Sequence, residues 1–162
     1  MLCVSRFAIQ KNHEFLIDIV SEMKKMSSNN CILLVGTGPL EDKIRNKVKQ
    51  LSLENEVKFL GSRGDVNELM QAADAFVMPS LWEGLALSYI EAQAAGLRVY
   101  TSREALSREA CITNLIKGIP LSVNAKKWAK IIYHHRRYER KSQKELIAII
   151  EQIPKTAQEK LF

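Results

Sequence analysis

Short uninterrupted apolar runs alternate with amphipathic stretches of helical period along the first two-thirds of the chain, and this alternation fixes the fold class. Cys31–Val35 and Ala75–Met78 contain no polar side chain beyond a thiol and a thioether. Such runs suit strands covered on both faces, as in a parallel sheet. Leu2–Ser5, Val57–Gly61 and Val99–Thr101 read as further strands. Between them, Phe15, Leu16, Ile19, Val20 and Met23 recur on one face of a helix over 12–26. A second helix is expected over 40–51, with Glu41 and Asp42 in its first turn. Asp65 reads as the cap of a short helix through Gln71, and a helix over 85–95 stops at Gly96. Strands joined by such helices build βαβ units, so the class is α/β with a doubly wound parallel sheet and helices on both faces. Past Thr101 the pattern weakens: Leu115-Ile116 and Leu121–Val123 read as short strands. Asn124 reads as the cap of a helix to His134, and 142–153 as a further amphipathic helix.

A length of 162 residues suits one domain, without a linker or repeat to divide it. No stretch approaches the roughly 18 apolar residues of a membrane span, and no basic segment followed by an apolar run opens the chain. Cys3, Cys31 and Cys111 lack metal-ligand spacing. Cys3 and Cys31 sit in apolar runs and are expected to be buried hydrophobes of a reducing, cytoplasmic setting. The net charge of +6 is carried entirely by residues 126–145, where eight basic side chains face two acidic ones. The rest of the chain is neutral, which argues against nucleic acid as a partner and leaves one basic segment for an acidic surface.

In doubly wound sheets ligands sit at the carboxyl ends of the strands, near the point where strand order reverses. The candidate residues all fall there. Glu83 and Glu91 form a Glu-x7-Glu pair about the start of the helix after the Ala75–Met78 strand. Backbone N–H groups at such a start, here of Leu85, Ala86 and Leu87, seat a phosphate. Eight residues of helix rise about 12 Å, so the carboxylates would reach opposite ends of one extended ligand. Gly36-Thr37-Gly38-Pro39 opens the helix after the Cys31–Val35 strand and serves equally as a tight turn. On the residues alone, Arg6 and Lys11 fit a pair of surface bases, and Glu83 fits a first-turn acid facing the helix dipole. His13 reads as a surface residue, and the adjacent His134 and His135 make a poor chelate.

Taken in order, the segments Ser5–Lys11, Gly36–Pro39, Phe59–Gly61, Ala73–Ser80 and Glu83–Gly96 resemble the donor-binding, C-terminal half of retaining glycosyltransferases of the GT-B fold, family 4. The resemblance covers roughly residues 2–101. It implies a Rossmann-like domain that binds a nucleoside diphosphate sugar, with UDP the first expectation, and needs no metal. It assigns Arg6 and Lys11 to the diphosphate, Glu83 to the transferred hexose and Glu91 to the ribose hydroxyls. Gly36, Gly38, Gly84 and the N–H groups of Leu85, Ala86 and Leu87 would line the donor, with Arg63 and Val66 bordering the base. Two positions depart from the family pattern. Ala86 stands where glycine is usual and adds a methyl group at the donor approach, and Arg98 stands where proline is common.

The whole of 1–162 is thus expected to be one nucleotide-sugar-binding domain. The acceptor-binding half would lie outside it, the isolated chain would transfer nothing, and residues 126–145 would face an anionic membrane surface or the other half. A nucleotide-binding regulatory or epimerase-type module shares the fold and stays open as the alternative. It would spare binding in Glu83→Ala.

Overall fold

The computed structural model describes residues 1–27, 29–134 and 145. Six strands form one sheet: β1 (Leu2–Val4), β2 (Ile32–Val35), β3 (Val57–Gly61), β4 (Ala75–Met78), β5 (Arg98–Ser102) and β6 (Ile116–Ile119). Their order is β3-β2-β1-β4-β5-β6, and every neighbouring pair is parallel. Among the described residues five α-helices connect or follow them: α1 (His13–Met26), α2 (Glu41–Gln50), α3 (Val66–Ala72), α4 (Leu87–Ala94) and α5 (Ala125–His134). The doubly wound α/β architecture is the expected one. Strand order reverses between β1 and β4, so the loops after these two strands face each other across the crevice where such sheets bind ligands.

The apolar runs form the centre because they satisfy both faces of a parallel sheet. Leu2, Cys3, Phe76, Val77 and Met78 are at most 1% exposed. The apolar stripe of α1 packs on one face and also meets α5, where Phe15 lies edge-on to the fully buried Trp128 at 5.7 Å. Trp128 donates its indole N–H to Pro120 O at 3.2 Å, which removes the cost of burying that donor. Asn124 caps α5 as expected, its side-chain oxygen accepting from Lys127 N–H at 3.0 Å. Gly96 ends α4 at φ 75°. The Leu97 N–H then closes on Ala92 O, and the helix's last carbonyls are satisfied.

Several expectations are corrected. The helix expected from Leu85 begins at Leu87, since Leu85 and Ala86 pack as an apolar loop rather than a helical turn. The expected strand at Leu115-Ile116 is the start of the edge strand β6, which pairs with β5 from Ile116 and continues through Lys117 and Gly118 to Ile119, whereas Leu121–Val123 is a turn. A Cβ on Gly118 would meet Arg103 Cα at 3.2 Å. An edge strand needs little apolar character, so only its first residues stood out. Asp65 stands at the start of α3 without a capping hydrogen bond, because its carboxylate is taken by Arg63. Cys31 is exposed just ahead of β2. The expected helix over 142–153 lies outside the described residues apart from the isolated Glu145.

Candidate functional site at the carboxyl edge of the sheet

Three successive residues of the loop after β1 reach the loop after β4. Gln10 O accepts from Leu81 N–H at 2.7 Å, and the Gln10 amide donates to Trp82 O at 2.9 Å and Glu83 Oε2 at 3.2 Å. Lys11 Nζ contacts both oxygens of Glu83, at 2.7 and 2.8 Å. Asn12 holds a left-handed backbone (φ 53°) and donates its side-chain amide to Pro79 O at 3.1 Å. Asparagine tolerates that conformation better than most residues. The Glu83 side chain is only 6% exposed and that of Lys11 19%. Neither ion would sit there without the other, because the desolvation of each is offset by its partner. Glu83 therefore belongs to an irregular loop rather than to the first turn of α4, which contains no acid. The expected 12 Å helical rise between Glu83 and Glu91 does not apply, since only the stretch from Leu87 is helical.

The loop after β2 lies on the other side of the β1 loop. A Cβ on Gly36 would stand 2.2 Å from Ser5 O, and one on Gly38 2.5 Å from Phe7 O. Both glycines are required by this backbone-to-backbone approach, whatever else the loop binds. Phe7 N–H bonds Thr37 O at 3.1 Å, and Leu40 N–H bonds Phe7 O at 3.1 Å. Arg6, exposed on this framework, lines an open crevice of about 450 Å³ with Gly36–Pro39 and Ser62. Arg63 pairs with Asp65 through both ends of its guanidinium, and this hydrogen bond holds the Asp65 carboxyl below its ordinary range. The Arg63 side chain is thus occupied, and Val66 opens α3 beside it.

On the β4 side, Gly84 has open space where a Cβ would be. Ala86 precedes α4 at φ −78° and is 7% exposed, within the core cluster. Its side chain is therefore part of the apolar packing beneath the start of α4. Tyr89 N–H closes on Ala86 O at 3.0 Å, which leaves the N–H groups of Leu87 and Ser88 ahead of the helix's own ladder. Glu91 is half-buried one turn further on. Residues 1–126 match the family described as glycosyl transferases group 1.

The chain belongs to that family. It is 36% identical over 129 residues to the putative glycosyltransferase EpsF of Bacillus subtilis, covering 80% of this chain and 34% of that protein. It is 35% identical over 100 residues to the UDP-Gal:alpha-D-GlcNAc-diphosphoundecaprenol alpha-1,3-galactosyltransferase of Escherichia coli, covering 58% and 25%. Among solved structures it superposes on a mutant of S. aureus TarM in complex with fondaparinux, alpha-GlcNAc-glycerol and UDP. That match has a TM-score of 0.79 and 21% identity, covering 98% of this chain and 34% of that one. The sheet is thus that of one half of a GT-B enzyme, and the chain spans a quarter to a third of these curated relatives.

In this group 1 chain the expected residues other than Arg63 and Val66, which stand apart at the start of α3, fall into three groups. Lys11 and Glu83 are joined directly, Arg6, Gly36 and Gly38 share the neighbouring crevice, and Gly84–Leu87 with Glu91 follow the β4 loop. A cavity of about 520 Å³ at the opposite, amino edge of the sheet touches none of them; it lies among Met1, Cys31, Asp74 and Tyr133. Size is outweighed there by the convergence of charge and helix start at the carboxyl edge.

His13 is the clearest correction. It is 3% exposed, stacked on Phe7 at 4.4 Å and hydrogen-bonded through Nε2 to Ser5 Oγ at 3.2 Å. Burial, with Lys11 nearby, pushes its pKa down to about 4, so the ring is neutral and packs as an aromatic. Cys3 Sγ lies 3.6 Å from the same Ser5 Oγ, its thiol pushed up to about 12 by burial. Sequence reasoning also passed over Gln10 and Asn12. Their only signal is that polar residues flank Lys11 inside the motif.

Proposed function

We propose that this domain binds a nucleoside diphosphate sugar as the donor side of a retaining hexosyltransferase acting on a polysaccharide or glycolipid acceptor. The observation that carries this is the joining of Lys11 and Glu83 across the strand-order reversal, between the Arg6 crevice and the start of α4. Arg6 and Lys11 would take the diphosphate, a planar fork and a compact charge respectively. With the N–H groups at the start of α4 they would stabilise the negative charge that grows on the departing nucleotide. The Glu83 carboxylate, held by Lys11, would accept hydrogen bonds from the hexose, and Glu91 from the ribose hydroxyls. A carboxylate so firmly ion-paired is a poor nucleophile, which supports attack by the acceptor itself on the face the nucleotide leaves. UDP is the favoured nucleotide, since relatives named above carry UDP-Gal in their name or were crystallised with UDP.

No metal is needed in this scheme, because the cations and helix start supply the positive charge. The acceptor would be bound by a separate half of the enzyme, so this chain alone would bind donor without transferring it. No described helix is long and apolar enough to cross a membrane. The exposed face of α5, with Lys126, Lys127 and Lys130, would rest on anionic lipid at the cytoplasmic surface. Calorimetric titration with UDP, GDP, ADP and their sugar conjugates tests the donor assignment. One nucleotide should bind selectively, and Glu91→Ala should weaken it about tenfold, the loss of one or two charge-assisted hydrogen bonds. Equal affinity of the variant and the original chain would remove Glu91 from the site, and no binding of any nucleotide would end the proposal.

A further inference from the structure

The Glu83 carboxylate is held by more than its lysine. Lys11 Nζ occupies one position on each oxygen, and the Gln10 amide nitrogen occupies a second on Oε2 at 3.2 Å. A carboxylate offers about four acceptor positions, so roughly one remains for a ligand hydroxyl, and Gln10 decides which. The same nitrogen donates to Trp82 O at 2.9 Å, and Gln10 O accepts from Leu81 N–H at 2.7 Å. Two acceptors converge on the amide nitrogen, which fixes the NH2 end toward Glu83 without ambiguity. Lysine alone would not orient the group, because an ammonium is a point charge on a flexible stem. The planar amide is held by Trp82 O while the Gln10 carbonyl is held by Leu81 N–H, so it meets the carboxylate from a fixed direction.

We infer that Gln10 is a positioning residue that orients Glu83 toward the sugar of the donor, and so supplies the discrimination between a nucleoside diphosphate sugar and the bare nucleotide. This rests on the donor assignment proposed above. Gln10 touches neither diphosphate nor base in that assignment, so its effect is confined to the hexose.

The test compares the original chain with Gln10→Met and Gln10→Glu, both close in shape. Affinities are measured for UDP, UDP-glucose and UDP-N-acetylglucosamine, and for GDP and GDP-mannose, with circular dichroism to confirm folding. UDP or GDP alone should bind the original chain and Gln10→Met equally, and Gln10→Glu more weakly, because its new carboxylate stands beside Lys11. The preference for the sugar conjugate should fall about tenfold in Gln10→Met, and further in Gln10→Glu, where a like charge replaces the donor. A purely structural role would lower both affinities by the same factor, and that result, or no change in either, overturns the inference. Equal binding of nucleotide and conjugate by the original chain also overturns it while leaving the diphosphate site standing. Failure of every nucleotide to bind removes the donor assignment and the inference with it. Should one variant not fold, the other carries the same comparison.

Discussion

Acidification should destabilise this fold through His13. The imidazole is 3% exposed, stacked on Phe7 and bonded through Nε2 to Ser5 Oγ. Burial first, then the Lys11 charge, lowers its pKa from 6.5 to about 4. Between those values the unfolded chain takes up a proton that the folded chain refuses. Stability is therefore full above about pH 6.5 and is lost as pH falls toward 4. At about 1.36 kcal/mol per unit the full loss is about 3 kcal/mol, of which about 2 kcal/mol is gone by pH 5. Asp65 and Glu14, both held below their ordinary values by hydrogen bonds from Arg63 and Lys43, contribute only at lower pH. Urea unfolding at pH 7.5 and pH 5 should therefore show a midpoint drop in the original chain that His13→Gln largely abolishes, although the variant starts less stable. An equal drop in both would refute the burial of a neutral imidazole.

Two further outcomes follow from the same framework. Gly38→Ala should cost about 3 kcal/mol or prevent folding, because its methyl group would have to displace the Phe7 backbone, at 2.5 Å, with no flexible side chain to yield; thermal unfolding measures this. Arg6→Ala should leave stability within about 0.5 kcal/mol, since the side chain is exposed. It should weaken UDP but not uridine, and a parallel loss for uridine would place Arg6 away from the phosphates.

What the sequence disclosed and what it hid divide along physical lines. Buried parallel strands must be apolar throughout, so β2 and β4 were evident, and with them the sheet class. The start of α4 was misplaced by two residues because Leu85 and Ala86 are apolar for loop packing, which mimics a helical stripe. His13 sits in the polar string Lys11-Asn12-His13-Glu14, and its burial depends on a stacking partner six residues away across an irregular turn, a spacing with no period. Only the start of β6 was visible, at Leu115-Ile116, because the rest of this edge strand crosses Lys117 and Gly118 and has no apolar run. At the site, the charged residues were legible by type. The contacts of Gln10 and Asn12 were not, because they depend on two loops separated by about seventy residues coming together.

That meeting explains why the candidate site lies where it does. β1 is the strand flanked on both sides by its crossover partners, β2 and β4. Its loop is consequently pinned from both directions. Ser5 and Phe7 are bonded to the β2 side through Val35 and Thr37, and Gln10 and Asn12 to the β4 side through Leu81 and Pro79. Gly36 and Gly38 permit the first contact, and the left-handed Asn12 permits the second. The backbone hydrogen bonding of this loop is largely satisfied within the fold, so Arg6 and Lys11 project from a framework that a ligand does not have to order. A loop backbone fixed in this way does not have to be ordered when a charged group binds. An outer strand of the sheet, with one neighbour, could fix its loop from one side only; the reversal between β1 and β4 is where the chain fixes the backbone carrying Arg6 and Lys11 from both sides and joins Lys11 to Glu83.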